Sequence, residues 1–193
     1  AVVRDATART HLPSRSVIDI LDVTNDVKAP LVFSQNVPVW RGRSHERERF
    51  AAAVEARLAV LEFGAEDGSS IFAAIVRAAT LLAERGGGQQ FLYVVSDMRY
   101  RGPIGKGQRV DLTRVVPDPA VVIAALDAAG LVPDLTDVRV EVCGVFAEPL
   151  VSDRLRDVVA AYFVATHAHS LRIVDRCDAA SLRGRFTSLT QEK

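Results

Sequence analysis

The apolar and polar residues along the chain follow two alternating patterns. Apolar residues three or four positions apart indicate helices, and short continuous apolar runs indicate buried strands. The clearest helix is predicted over SSIFAAIVRAATLLAERGGG (69–88), which begins with hydroxyl residues and ends in glycines. The run FLYVVSD (91–97) follows, and it indicates a buried strand that ends in Asp97.

The same patterns continue on both sides of this unit. Helices are predicted over 44–62, 117–130 and 153–170, and strands over 137–146 and 171–175. We prefer a helix over 14–24 and a strand over 30–35, with a strand over 17–23 as the alternative. Alternating helices and strands predict an α/β fold with an open, doubly wound, mainly parallel sheet and helices on both faces.

Composition narrows the class of protein. A chain of 193 residues with 49% apolar and 25% charged residues fits one globular domain, residues 1–193. The formal net charge is zero, so we expect neither nucleic acid nor an anionic membrane as a partner. No apolar stretch is long enough to predict a transmembrane helix.

Other bulk features leave questions open. The two cysteines, Cys143 and Cys177, fit buried hydrophobic positions, and the sequence does not decide whether they form a disulfide bond. The chain starts at Ala1 without Met, which suggests a processed N-terminus, so either an extracytoplasmic or a cytoplasmic location is open. The oligomeric state is not predicted.

Oxygen-bearing side chains lie at several predicted strand ends. The run AVVRDATART places Asp5 after an apolar stretch and Thr7 two residues later; Ser69 opens a helix, and Asp97 ends the strand after it. The carboxyl ends of parallel strands share one edge of a sheet, where ligands bind. Carboxylates and hydroxyls together suit Mg²⁺, Mn²⁺ or Ca²⁺.

The order of these motifs resembles the von Willebrand factor A (VWA) domain family, in particular its atypical bacterial members. That family has Asp-x-Ser-x-Ser after the first strand, a Thr before a helix, and a later Ser-Asp-Gly. This chain has Asp5-x-Thr7-x-Arg9, then Ser69-Ser70, then Ser96-Asp97-Met98. The resemblance implies a non-enzymatic domain that binds another protein, with Asp5, Thr7, Ser69 and Asp97 as metal ligands.

The chain departs from the family pattern at two positions. Arg9 stands where the family has its last serine, and Met98 stands where it has glycine. A guanidinium has only donors and cannot bind a cation, but it can pair with a carboxylate. We therefore treat Arg9 and Ser70 as residues that modify the site or bind the partner. A metal-free site, in which Arg9 supplies the counter-charge to Asp5 or Asp97, is as well supported as a metal site.

Three alternatives remain. The run LDVTND offers Asp22, Thr24 and Asp26 as a second acid–hydroxyl–acid pattern if 17–23 is a strand. Strand-end aspartates also fit a magnesium-dependent hydrolase or phosphatase. The third alternative is a structural module with a vestigial site. GPIGKGQ (102–108) lacks the spacing of a phosphate-binding loop, and we expect a mobile loop over the sheet edge there.

Overall fold

A computed structural model describes residues 17–21, 31–36, 49, 52–53, 56, 71–87, 90–104, 109–113, 115–144 and 149–174. By proximity of Cα atoms the chain divides into two compact units. The first comprises Ala1–Asp22, Leu31–Phe63 and Cys177–Lys193, and the second comprises Val23–Pro30 and Gly64–Arg176.

In the first unit, strands β1 (Val17–Leu21) and β2 (Leu31–Asn36) pair antiparallel, with Val17 opposite Asn36. The preferred helix over 14–24 is therefore wrong at 17–21, and the strand over 30–35 is confirmed. The run VIDIL contains three β-branched residues, which pack well in a paired strand and lose rotamer freedom in a helix. Helical backbone at residues 49, 52–53 and 56 agrees with the predicted helix over 44–62.

The second unit contains a parallel sheet of three strands, which are β3 (Gln90–Val95), β6 (Val138–Cys143) and β7 (Ser170–Val174), adjacent in that order. Two helices connect these strands, α2 (Pro119–Ala128) before β6 and α3 (Pro149–Ala165) before β7, and α1 (Ile71–Arg85) precedes β3. Strands alternate with helices and the sheet is parallel, so the fold class is α/β.

The helices begin and end where their sequences direct. Asp118 caps α2, because its Oδ1 accepts a hydrogen bond from the Ala120 amide at 2.8 Å, and Pro119 occupies the first turn. Gly86 follows α1 with φ of 57°, and Gly130 follows α2 with φ of 70°. Glycine adopts this left-handed conformation without steric cost, so both helices stop there.

The core of the second unit lies between the helices and one set of strand residues. Val138, Val140 and Val142 of β6 belong to it, which is the alternation expected for side chains on one face of a strand. Phe72 of α1 packs edge-on against Tyr162 of α3, with ring centroids 4.9 Å apart. Aromatic pairs of this kind add specific geometry to the burial of apolar surface.

A short antiparallel hairpin follows β3. Its strands are β4 (Arg101–Pro103) and β5 (Arg109–Asp111). Gly102 and Pro103, the first two residues of the loop expected over 102–108, therefore belong to β4, and residues 105–108 lie outside the described residues. Tyr100, Val110 and Leu112 are buried in the core and anchor the hairpin to it.

The last residue of β6 forms a disulfide bond. This residue is Cys143, and it is only 2% exposed. This finding decides the question that the sequence left open for this residue.

Candidate functional site

The carboxyl ends of the three parallel strands lie in one row. Val95 of β3, Cys143 of β6 and Val174 of β7 are in register. Beyond them the Ser96 amide donates to the Cys143 carbonyl at 3.1 Å, and the Gly144 amide donates to the Val174 carbonyl at 3.2 Å. We call Ser96, Asp97, Gly144 and Val174 the carboxyl edge, and this is the side of a parallel sheet where ligands bind in α/β proteins.

A tight turn forms the β3 end of the carboxyl edge. The Met98 amide donates to Ser96 Oγ, and the Arg99 amide donates to Asp97 Oδ1, both at 3.0 Å. These side chains satisfy the backbone of the turn in the manner of an Asx or ST turn. Asp97 is exposed, so its carboxylate is accessible to solvent at the sheet edge.

Met98, the third residue of this turn, stands at the position where the VWA motif has glycine. Its φ is 55°, in the left-handed region that favours glycine, and its side chain is 1% exposed. Burial of a large apolar side chain offsets the cost of the backbone conformation. The turn is therefore anchored in the core rather than built from a flexible residue.

Of the predicted site residues, the structure describes Asp97 alone, and it places Asp97 at the carboxyl edge as expected for a strand-end acid. The other residues named from sequence lie outside the described residues; they are Asp5, Thr7, Arg9, Ser69, Ser70, Asp22, Thr24 and Asp26. Whether Asp97 meets any of them therefore stays a prediction.

Metal ligands do not cluster in the described part of the chain. No group of three or more His, Cys, Asp or Glu side chains that could hold a metal ion occurs among the residues that the structure describes. Asp97 alone does not make a metal site, because Mg²⁺ and Ca²⁺ require several oxygen ligands. A metal site at this edge would need ligands from outside the described ranges.

Arginines follow the carboxyl edge directly, and sequence reasoning missed them. Arg99 comes one residue after the turn, and Arg101 and Arg109 lie on β4 and β5. We call these three residues the hairpin arginines. The signal was present in the sequence, since residues 98–114 contain five Lys or Arg residues and one acid in a chain that is neutral overall.

Alternation separates the two faces of the hairpin. Tyr100 and Gly102 are buried, whereas Arg101 and Arg109 are exposed. Neighbouring residues of a strand point to opposite faces, so Arg101 and Arg109 share the outward face with Asp111. Arg101 Nε lies 3.5 Å from Asp111 Oδ2, and the Thr113 amide donates to Asp111 Oδ1 at 2.8 Å.

Tyr100 holds the inward face of the hairpin against the core. Its ring lies edge-on to Phe72, with centroids 5.3 Å apart, and its backbone carbonyl accepts from the Leu112 amide at 2.7 Å. Burial raises the pKa of the Tyr100 phenol above 10.0, and the positive charge of Arg109 acts in the opposite direction. The phenol therefore stays neutral and packed at physiological pH.

No protein-family model, no curated protein and no solved structure matches the chain. Any inference about its function therefore rests on the fold and on the geometry of the site. Among the described residues, no helix has the length and apolar character needed to cross a bilayer. The class that can be stated is an α/β protein with a parallel sheet and an accessible carboxyl edge.

Proposed function

We propose that this chain is a protein-binding or assembly domain of VWA type, in which helices cover both faces of the sheet and the carboxyl edge binds a carboxylate of the partner. The observation that carries the proposal is the Ser96–Asp97–Met98 turn at the end of β3, beside the carboxyl ends of β6 and β7. Asp97 is the exposed residue of this turn, which is held at the end of a paired strand, and such a position suits a binding site.

Two kinds of counter-charge fit a partner carboxylate at this edge. A divalent ion held by Asp5, Thr7, Ser69 and Asp97 is one, following the VWA resemblance. A guanidinium is the other, because Arg9 replaces the last hydroxyl of the pattern and can form a bidentate pair with a carboxylate. Both arrangements use the same edge and the same chemical group of the partner.

Calorimetric titration tests the proposal. A peptide rich in Glu is titrated into the wild-type chain, and its Gln analogue serves as the matched control. We expect heat of binding from the Glu peptide and none from the analogue. Parallel titrations with Mg²⁺ and with a chelator tell which counter-charge operates, because binding that survives chelation requires arginine.

Two variants refine this test. In the metal arrangement, Asp97→Ala abolishes both Mg²⁺ binding and peptide binding, and Arg9→Ser strengthens Mg²⁺ binding. In the arginine arrangement, Arg9→Ser weakens peptide binding in the presence of chelator. Absence of heat from the Glu peptide with and without Mg²⁺ would contradict the proposal, as would turnover of a phosphate ester that Asp97→Ala abolishes.

A further inference from the structure

We propose that the outward face of the β4–β5 hairpin is an anion-binding surface for an acidic segment of a partner protein, with Arg99, Arg101 and Arg109 binding its carboxylates. This inference rests on the proposed function and names the partner chemistry beside the carboxyl edge. It requires no metal ion.

The first observation is an unsatisfied donor. Arg99 Nε is buried and has no hydrogen-bond partner in the described structure, although the Arg99 amide is bonded to Asp97. Buried polar groups in folded proteins nearly always have a partner, so Arg99 retains an unused hydrogen-bond donor two residues before the exposed Arg101. A carboxylate is the acceptor that matches a guanidinium best.

The second observation is the charge on the hairpin. Arg101 and Arg109 are exposed on the outward face of the hairpin, Arg99 precedes Arg101 by two residues, and Asp111 is the one acid of residues 98–114. Asp111 is engaged on both oxygens, since Oδ1 accepts from Thr113 and Oδ2 faces Arg101 at 3.5 Å. Asp97 and Asp111 together carry two negative charges beside the three guanidinium groups, so positive charge remains for a partner.

The third observation concerns which anion fits. The chain as a whole has no net charge, so it lacks the long-range field that draws proteins to nucleic acids. Local recognition by forked guanidinium groups suits a short acidic peptide segment instead. The hairpin follows the turn at Asp97 immediately, so one extended segment could contact both the carboxyl edge and the hairpin arginines.

Fluorescence anisotropy with a labelled Glu-rich peptide of about ten residues tests this inference near physiological salt. The variant Arg99→Gln/Arg101→Gln/Arg109→Gln should lose about tenfold or more in affinity, because three charge-assisted contacts are removed. A matched control, Arg77→Gln/Arg154→Gln/Arg172→Gln, removes the same charge from exposed positions elsewhere and should change affinity by less than about twofold.

A charge change of opposite sign gives a second test. Asp111→Asn keeps the oxygen that accepts from Thr113 and removes the negative charge beside Arg101. Peptide affinity should rise about twofold to fivefold, since a surface charge of this kind contributes modestly. Should the triple Gln variant fail to fold by circular dichroism, Arg109→Gln alone should lower affinity about twofold to fivefold, because Arg109 is exposed.

The outcomes separate this inference from the proposed function. Peptide binding that is unchanged in the triple variant, or equally weakened in the control, overturns the inference and leaves binding at the carboxyl edge intact. Absence of peptide binding in the wild-type chain overturns both. Tighter binding of a single-stranded oligonucleotide than of the peptide overturns the assignment of an acidic protein segment.

Discussion

Arg101 Nε lies 3.5 Å from Asp111 Oδ2 across the β4–β5 hairpin, and the two side chains are 66% and 42% exposed. A solvated ion pair of this kind contributes about 0–1 kcal/mol to stability. The pair therefore does little to hold the hairpin together, and Arg101 can exchange Asp111 for a carboxylate from a partner. The buried face of the hairpin, rather than its charges, fixes its position.

Gly102 and Tyr100 provide the clearest test of that buried face. A Cβ at Gly102 would lie 2.7 Å from Tyr100 Oη and 2.9 Å from Tyr100 Cζ. Gly102→Ala should therefore lower the free energy of unfolding by about 1–3 kcal/mol, because the Tyr100 ring must move out of its packed position. Urea denaturation measures the change.

Two further variants make this prediction specific. Val115→Ala alters a residue that is 75% exposed just after the hairpin, and it should change stability by less than about 0.5 kcal/mol. In the background Tyr100→Ala the cost of Gly102→Ala should largely disappear. Equal costs with and without the Tyr100 ring would show that the steric account is wrong.

Tyr100 also gives a pH-dependent prediction. Burial raises the pKa of its phenol in the folded state above 10.0, and burial raises the pKa of the Tyr162 phenol as well. A group with a raised folded-state pKa contributes stability that is present below its unfolded pKa and is lost as the pH rises through the folded value. The free energy of unfolding should therefore fall above about pH 10.

Arg109→Gln separates the two causes of the Tyr100 shift. The positive charge of Arg109 lowers this pKa, so its removal should raise the pKa of Tyr100 further. Carbon NMR of the tyrosine Cζ signals, assigned with Tyr100→Phe, measures the change. Arg77→Gln, an exposed substitution on α1, serves as control, and an equal shift in both variants would refute a local effect of Arg109.

Tyr162 tests the packing of α3. Its hydroxyl donates to the Leu131 carbonyl at 2.8 Å, and the residue has no exposed surface. Tyr162→Phe should cost about 1–3 kcal/mol, because a buried acceptor loses its donor. Val164→Ala, on the same helix at 73% exposure, should cost less than about 0.5 kcal/mol. Similar losses in the two variants would contradict the role given to this hydrogen bond.

The disulfide of Cys143 predicts sensitivity to reduction. The chain has one other cysteine, Cys177, which lies outside the described residues, and we predict that it is the partner. Closing a loop of about 35 residues stabilises a protein by about 4 kcal/mol in the chain-entropy account. Complete reduction should therefore lower Tm by about 10 °C.

Mass spectrometry and calorimetry check this prediction together. Non-reducing peptide mapping should recover a fragment that joins Cys143 to Cys177. Cys143→Ala and Cys177→Ala should lower Tm equally, and a reducing agent should have no further effect on either variant. An intermolecular linkage, or a Tm that reduction leaves unchanged, would show that the pairing is wrong.

The sequence predicted the regular elements of the second unit well, because α1 and β3 carry strong local signals. Helical spacing of apolar residues and terminal glycines define α1, and an uninterrupted apolar run defines β3. The stretch Val17–Leu21 was predicted wrongly, since five residues are too few to show a period, and pairing with β2 decides their conformation. The β4–β5 hairpin contains Gly, Pro and Arg, which do not favour strands by themselves. Its pairing therefore depends on tertiary packing, in particular on the burial of Tyr100 in the core.

The candidate site was predictable in part for the same reason. Asp97 follows a strong strand signal, so its place at the strand end could be read from the sequence. The left-handed backbone of Met98 and the buried Nε of Arg99 are products of tertiary packing and leave no local signature. The charge excess of residues 98–114 was visible, but only the pairing of β4 with β5 brings Arg101 and Arg109 to one face.

Amide NMR shows directly whether the carboxyl edge binds a carboxylate of the partner. The Glu-rich peptide is titrated into the isotope-labelled chain, with its Gln analogue as control. We expect the largest shifts at the amides of Ser96, Met98, Arg99 and Gly144, and we expect the analogue to leave them unchanged. Shifts confined to the helices α1, α2 and α3, or the same shifts with both peptides, would contradict this expectation.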